Sequence, residues 1–548
     1  MSALKPRVRV AAGDATGRTA RPVAEGGIRR TSYNAADLGH PSLQGWMPPI
    51  QSADAEWLRD RPVSIARIRD VIRNEGWAKS GVDRKVDMLV GGSLRLNAKP
   101  DPVGLGISPA AAHALGRQIQ SKWFDWAEDP IFRCDAERQL PFAGLAGLIT
   151  REFVGIGEGL GVLRWIDRPG WNYRTAVQII DPDRLSNPMG MPDSDTLRGG
   201  VEKDQNNAPI GYHIRRGHPA DVFSMKTSSF QWDYIPRWDA IGPWERPKVV
   251  HVYDKHRPGQ SRGISDFVAS LTKLRMLSRY SESEVRTAAI NATIVGAIYT
   301  QMGAEYAADH LGSDAPSDVD WGEFNTSRAE FYGKRNVMDD ARFLTLFPSD
   351  RLDLNTTPRQ TAGYPAFQTS FLQAFAASLG ISYEQLSMDW SNTNYSSARA
   401  ALNEVWRGVM RLRAILIWGF AVPVFAAWLE DALDAGTVEV PKGCADFYDA
   451  PAAWLNADWI GPARGFIDPV KEAQASSLRI DGRISTLERE AAEQGQDWEE
   501  IIAQLARERA AMEAAGIPGV VTDTKIVAPT DAQQQPGGEQ GRTGTSDA

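Results

Sequence analysis

Only two cysteines, Cys134 and Cys444, occur among 548 residues, too few to frame a disulfide-stapled fold, and both are expected to be inert thiols. Histidine is nearly as scarce, with seven in all, and neither H-E-x-x-H nor a Cys/His array is present to hold a metal. Basic charge is not in excess either: 61 Lys and Arg stand against 69 Asp and Glu, a net charge of -8. A globally basic nucleic-acid binder is thereby excluded, and any contact with a polyanion has to be local or based on shape. The sequence G-x-x-x-x-G-K-[ST] does not occur, which removes the usual phosphate cradle. No apolar run reaches the ~20 residues that span a bilayer. The nearest, Ala414–Leu429, is shorter, contains Gly419 and Pro423, and is flanked by Arg411, Arg413 and Glu430, so it is expected to be a kinked core helix. The first thirty residues hold seven Lys/Arg and no apolar stretch, which predicts no secretory signal.

What is present is a chain with 42% hydrophobic residues, enough to bury a substantial core. Helical periodicity runs from Pro62 to Val90, from Ala110 to Ala127 and from Pro141 to Val154. Between Gly161 and Tyr253 the runs GVLRWI, TAVQII and VVHVY alternate with turn residues and predict strands, giving an α+β fold. Ile264–Ile294 is the longest helical pattern. Its apolar positions include Phe267, Val268, Leu271, Leu274, Leu277 and Val285, and Lys273, Arg275, Arg279 and Arg286 form a candidate basic face. Residues 301–340 turn acidic, nine against three, and short strands or turns are expected there. Further helices are expected at Pro365–Leu379, Ser397–Leu433 and, rich in charge, Asp468–Ala515. The stretches 1–45 and 519–548 have the composition of mobile arms.

Several constellations look chemical and have simpler readings. The run Gly155-x-Gly157-x-Gly159-x-Gly161 follows a helix and precedes a strand, the reverse of a dinucleotide site, and predicts a turn. Ser270-x-x-Lys273 lacks the companion motifs of an acyl-enzyme. His251, Asp254 and His256 are metal ligands by type only, and Asp181-Pro-Asp183 is first a turn-former. The group Trp232, Trp238 and Trp244, like the pair Trp418 and Trp428, suits packing or a subunit interface better than base stacking.

The stretch Ser378–Trp406, SLGISYEQLSMDWSNTNYSSARAALNEVW, joins an apolar helix to another through a Ser- and Asn-rich loop. With VHVYDKHRPGQSRGIS at 250–265 and NADWIGPARGFIDPVKEAQA at 456–475, it closely resembles the lambda family of tailed-phage portal proteins. The resemblance spans about residues 40 to 515. It implies a portal fold: an N-terminal arm (1–45), a wing (46–263), a first stem helix (264–300), a clip (301–350) and a second stem helix region (351–386). A tunnel loop (387–396), a long helix returning to the wing (397–467), a helical crown (468–518) and a tail (519–548) would follow. It also implies a closed dodecameric ring at one capsid vertex, acting as a non-enzymatic conduit for double-stranded DNA without cofactor or metal. The subunits would be made in the host cytoplasm. The implied partners are the major capsid protein, the terminase large subunit, a head-completion or adaptor protein and, as a further candidate, a scaffold. Ser391, Asn392, Thr393, Asn394 and Ser396 are the candidate loop contacts, because small neutral groups touch a duplex weakly enough for it to slide; Arg399 is the nearest candidate phosphate contact. The rival readings are an intracellular hydrolase or nucleotide-binding enzyme with an unrecognised site, and a membrane-inserted channel.

Overall fold

The computed structural model describes residues 34–36, 40–43, 45–221, 230–241, 244–293, 297–300, 326, 330, 350–353, 363–391, 393–465 and 469–516. Residues 1–52 form one unit and residues 53–548 another. The described part of the first holds a 3-10 turn at Asn34–Ala36 and a turn closed by Leu43 N–H on the His40 carbonyl.

In the second unit, α1 (Ala53–Asn74) and α2 (Gly76–Leu89) replace the single helix expected from Pro62 to Val90. The pattern breaks at Glu75, whose φ of -115° and ψ of 116° are extended. The apolar spacing continues across that break, so periodicity alone does not show it. Strand β1 (Arg95–Ala98), the short α3 (Pro102–Leu105) and α4 (Pro109–Ala127) follow, the last capped by Ser108 accepting from Ala111 N–H. Helix α5 (Phe142–Ile156) ends at Gly157, whose φ of 94° is left-handed, and β2 (Glu158–Trp165) begins at the next residue. The glycine run is therefore a helix-to-strand turn, as its order predicts. A Cβ on Gly157 would lie 2.3 Å from the Ile264 carbonyl carbon, which explains the glycine in physical terms.

Strand β2 lies in the middle of an antiparallel sheet, between β3 (Thr175–Ile180) and the β10 strand Val249–Tyr253. A second sheet, in sequence order, contains β4 (Leu197–Arg198), β5 (Val201–Lys203), β6 (Pro209–Arg215) and β7 (Trp232–Pro236). The hairpin of β8 (Trp238–Ile241) and β9 (Trp244–Pro247) precedes β10. After a 3-10 turn at Asp266–Ala269 comes α6 (Leu271–Thr293). Strands β11 (Ala297–Thr300) and β12 (Asp350–Asp353) pair antiparallel, with Thr300 opposite Asp350. Nearly all of the expected clip, and the tail 519–548, lie outside the described residues.

Helix α7 (Tyr364–Leu379) packs on α6 and the turn before it. Leu274, Leu277, Phe375 and Leu379 are buried there, and the Phe267 and Phe375 rings stand 5.6 Å apart. Next come α8 (Tyr383–Ser387), α9 (Tyr395–Leu416), a π-helical turn at Ile417–Ala421 and α10 (Val422–Asp434). The expected kink at Gly419 and Pro423 is thus a widened turn, in which Val422 N–H reaches the Ile417 carbonyl and helicity continues. By length and composition Ser397–Asp434 is apolar enough to cross a membrane, yet Leu416, Phe420 and Val424–Ala432 make the centre of the core. There Trp123 meets Trp126 at 4.9 Å and Trp428 at 5.2 Å, and Phe142 stacks on Phe420 at 5.7 Å. Aromatic contacts of this kind contribute about 0.5–1.5 kcal/mol each beyond burial. Cys134 lies in the same core, and burial pushes its thiol up to about 12, as expected of an inert cysteine. After α11 (Pro451–Trp454), β13 (Ala457–Ile460) returns to pair with β1. The charged C-terminal region forms three helices, α12 (Pro469–Asp481), α13 (Leu487–Glu493) and α14 (Trp498–Ala514).

Candidate functional site

The segment between β10 and α6 is anchored by buried ions. Glu158, the first residue of β2, is fully buried and accepts from Arg61 at 2.7 Å, Arg262 Nε at 3.0 Å, Gly263 N–H at 2.8 Å and His251 Nε2 at 3.0 Å. Arg262 spends its remaining donors on the carbonyls of Leu185, Gly199 and Pro182, at 2.7, 2.7 and 2.8 Å. Burial alone would raise the Glu158 pKa, but the two guanidinium groups and His251 hold it well below the usual carboxylate range. Burial pulls His251 the other way, below its ordinary value, and outweighs the help from Glu158. One turn of chain away, Asp54 accepts from Ser261 N–H at 2.7 Å and pairs with Lys203 at 3.3 Å. Gly263 completes the lock, because a Cβ there would sit 2.1 Å from the Gly157 carbonyl oxygen. Sequence reasoning singled out this segment by resemblance but missed its partners, which lie 56 to 207 residues away.

From this base α6 projects its basic residues. Lys273, Arg275, Arg279 and Arg286 are all exposed. At about 100° per residue, Arg275, Arg279 and Arg286 fall on one stripe opposite Leu274 and Leu277, while Lys273 lies on a flank. The stripe is not purely basic, since the exposed Glu282 borders it. Val285 was expected to face inward but is 69% exposed: it lies past the part of α6 that α7 covers.

The loop between α8 and α9 is short and ordered by its own side chains. Met388 closes α8 in the left-handed region with φ 57°. Ser391 donates its hydroxyl to Asp389 at 2.6 Å, and together with its own N–H holds that carboxyl below its ordinary pKa. Asn394 is the N-cap of α9, accepting from Ser397 N–H at 2.8 Å, so the helix starts at Tyr395, two residues before the expected Ser397. Thr393 is half-buried and Arg399 is exposed one turn into the helix; Asn392 and the Ser396 side chain lie outside the described residues. Of the candidate contacts, then, Ser391 and Asn394 have local structural work, and Thr393 and Arg399 remain for a ligand. The loop also exposes Met388, Asp389 and Trp390, which the neutral-residue argument passed over. Farther along α9, Arg413 donates to the carbonyls of Met88, Leu89 and Pro462 at 2.7, 3.1 and 3.0 Å. Its charge thus closes the C-terminus of α2, and burial pulls its pKa down to about 10.

An apolar helix packed on α6, a short polar loop and a long second helix, together with the buried ionic lock that holds the segment before α6 to β2, agree with the match to known sequences. Residues 39–413 match the family described as phage portal protein, lambda family. The chain belongs to that family. It is 34% identical over 488 residues to the portal protein of Escherichia phage N15, covering 87% of this chain and 89% of that one. To portal protein B of Escherichia phage lambda the identity is 33% over 488 residues, with 87% and 88% covered. Likeness to solved structures is looser: a chain in the virion of a native gene transfer agent particle aligns at a TM-score of 0.43 and 13% identity, covering 79% of this chain and 93% of that chain. As a portal protein of a tailed phage, this is a virion component placed at a capsid vertex, and its family is a structural one.

The portal's remaining constellations have structural explanations. Ser270 is buried at the foot of α6, where its hydroxyl accepts from Ser378 at 2.8 Å, while Lys273 points to solvent. His251 serves Glu158, whereas Asp254 is paired with Arg411. Asp181, Asp183 and His218 do bring ligand atoms within 4.8 Å of one another. Arg69 nevertheless donates to both carboxylates, at 2.7 and 3.0 Å, placing a guanidinium where a metal ion would sit. Trp244 packs on Phe447 and donates to Glu430, Trp232 donates to Ser186, and Trp428 is fully buried.

Proposed function

We propose that this portal closes with identical copies into a dodecameric ring, through which double-stranded DNA enters the capsid and later leaves it. Copies joined head to tail by one repeated contact close into such a ring when the rotation permits. The observation that carries the reading is the loop between α8 and α9, where Met388–Ser391 and Asn394 are exposed, with Arg399 one turn beyond it. Duplex DNA carries one charge per ~1.7 Å, so a lining dense in Lys and Arg would grip it. Neutral donors with one carboxylate, Asp389, keep the wall weakly interacting while Arg399 supplies a single cation per subunit. The stripe Arg275, Arg279 and Arg286 is a second candidate surface for the duplex.

In this reading the segment 301–350 meets the terminase large subunit during packaging and a head-completion protein afterwards. The wing meets the major capsid protein and, during assembly, a scaffold. Subunits are made in the host cytoplasm, and the portal itself neither binds nor hydrolyses ATP. The decisive experiment replaces Ser391–Thr393 with a Gly-Ser linker of equal length and keeps Asn394, so that the cap of α9 survives. Rings should form and DNA-filled capsids should fall, with Arg399→Ala giving a milder defect. Normal yields of full, infectious particles from the linker variant would overturn the loop's role.

A further inference from the structure

Two apolar surfaces of the chain match each other in chemistry and length. Along α9 and the π turn, Trp406, Met410, Ile417 and Trp418 form one wall of a groove of about 1150 Å³, with Trp459 of β13 on another wall. Trp418 is 73% exposed and Met410 47% exposed, although both lie beside the best-packed part of the molecule. Most charges on the rim pair with one another, Lys99 with Asp458 at 2.6 Å and Arg479 with Glu490 at 2.6 Å, whereas Arg399, the cation offered above to the duplex, also lines the groove. An uncharged, apolar occupant therefore fits better than an ionic one.

Such a segment exists in the arm. Gly45–Gln51, sequence GWMPPIQ, carries no charge, and its large side chains stand in solvent: Trp46 is 69% exposed, Met47 71% and Ile50 104%. The family match begins at residue 39, so this stretch belongs to the family's pattern. Pro48-Pro49 favours the polyproline conformation, which loses little entropy on binding and is recognised by grooves lined with aromatic rings. At ~3.1 Å per residue Gly45–Gln51 spans about 19 Å. At 1.5 Å per residue Trp406 to Trp418 spans about 18 Å along the helix axis.

We propose that the arm segment Gly45–Gln51 of one subunit occupies the Trp406–Trp418 groove of a neighbouring copy, so that each subunit clasps the next. The proposal rests on the ring reading above. A closed ring leaves no arm and no groove unmatched, because each copy supplies one of each.

The test uses the full-length chain with Met47→Cys, Met410→Cys and Cys444→Ser, leaving the buried Cys134 in place; both new thiols replace exposed side chains. Native mass before oxidation reports ring formation separately, and wild-type protein that stays monomeric would end the ring reading and this proposal together. If rings form, oxidation should produce a ladder of covalently linked chains on denaturing gels. A link within single chains, or none, would overturn the clasp while leaving the ring standing. Hydroxyl-radical footprinting of unmodified rings gives a second readout. Trp418 should lose most of its reactivity on assembly and regain it in the triple variant Trp46→Ala, Met47→Ala, Ile50→Ala. Trp418 reactive in wild-type rings, or still protected in that variant, would equally overturn it.

Discussion

Deleting the Arg262 side-chain charge should unfold the base of α6. In Arg262→Met, Glu158 keeps Arg61 and His251 but loses its second guanidinium; the carbonyls of Leu185 and Gly199 lose the Arg262 donor, while that of Pro182 keeps Leu185 N–H at 3.2 Å. Removing one partner of a buried ion pair costs roughly 3–5 kcal/mol. Each stranded buried carbonyl adds about 1–3 kcal/mol where no water or donor moves in. A loss of at least about 4 kcal/mol is expected, a large share of the ~5–15 kcal/mol that holds a domain together. Arg262→Lys should recover only part of it, because one ammonium cannot meet a carboxylate and three divergent carbonyls at once. The control is Arg407→Ala, which removes an exposed pair with Glu404 and should cost about 0.5 kcal/mol or less. Chemical denaturation of the three variants, followed by far-UV dichroism, measures the ranking. pH supplies an independent sign: the Glu158 pKa is depressed in the fold, so its contribution is complete above the unfolded value of about 4.3 and fades as pH falls toward the folded one. Arg262→Met within about 1 kcal/mol of wild type would refute the idea that this network anchors α6.

Leu277→Asp should abolish rings, at a cost of several kcal/mol, because the side chain is 3% exposed against α7; Leu271→Asp, only half-buried, should be milder, and equal ring yields by native mass would contradict that ranking. His251 is held neutral by burial with a lowered pKa, so stability should decline as pH drops below its unfolded value of about 6.5, and His251→Gln should flatten that limb of the pH–stability curve. Asn394→Ala removes the cap of α9 and should cost about 1 kcal/mol, seen as faster amide exchange confined to the first turn of that helix.

Helices with a strong 3.6-residue pattern were legible in the sequence nearly to their ends: α4, α5 and α7 begin and end within a few residues of the expected limits. The three strands of the central sheet were legible too, though not their order, because nothing local in GVLRWI shows that it lies between VVHVY and TAVQII. The ionic lock was not legible at all, since Glu158 meets Arg61 and Arg262 across 97 and 104 residues and no spacing rule connects them. At the loop, composition showed a polar connection between two helices but not which of its side chains are already engaged within it. Ser391 and Asn394 are good hydrogen-bonding groups, and for that reason the backbone and Asp389 claim them first.

The pairing of β1 with β13 sets a schedule for folding during synthesis. Lys99, just past β1, and Asp458, in β13, are 359 residues apart and meet in an ion pair. At a translation rate of about 5–20 residues per second, β1 waits roughly 20–70 s on the ribosome for its partner strand. The Trp123 cluster waits with it, because Phe425, Trp428 and Trp459 come from the same late stretch of chain. During that interval the nascent chain presents an open strand edge and an unfilled aromatic cavity, a combination that invites pairing with other nascent copies. A polysome therefore concentrates incomplete subunits where they can mispair, and chaperone binding to chains shorter than about 460 residues becomes a determinant of how many competent subunits each message yields.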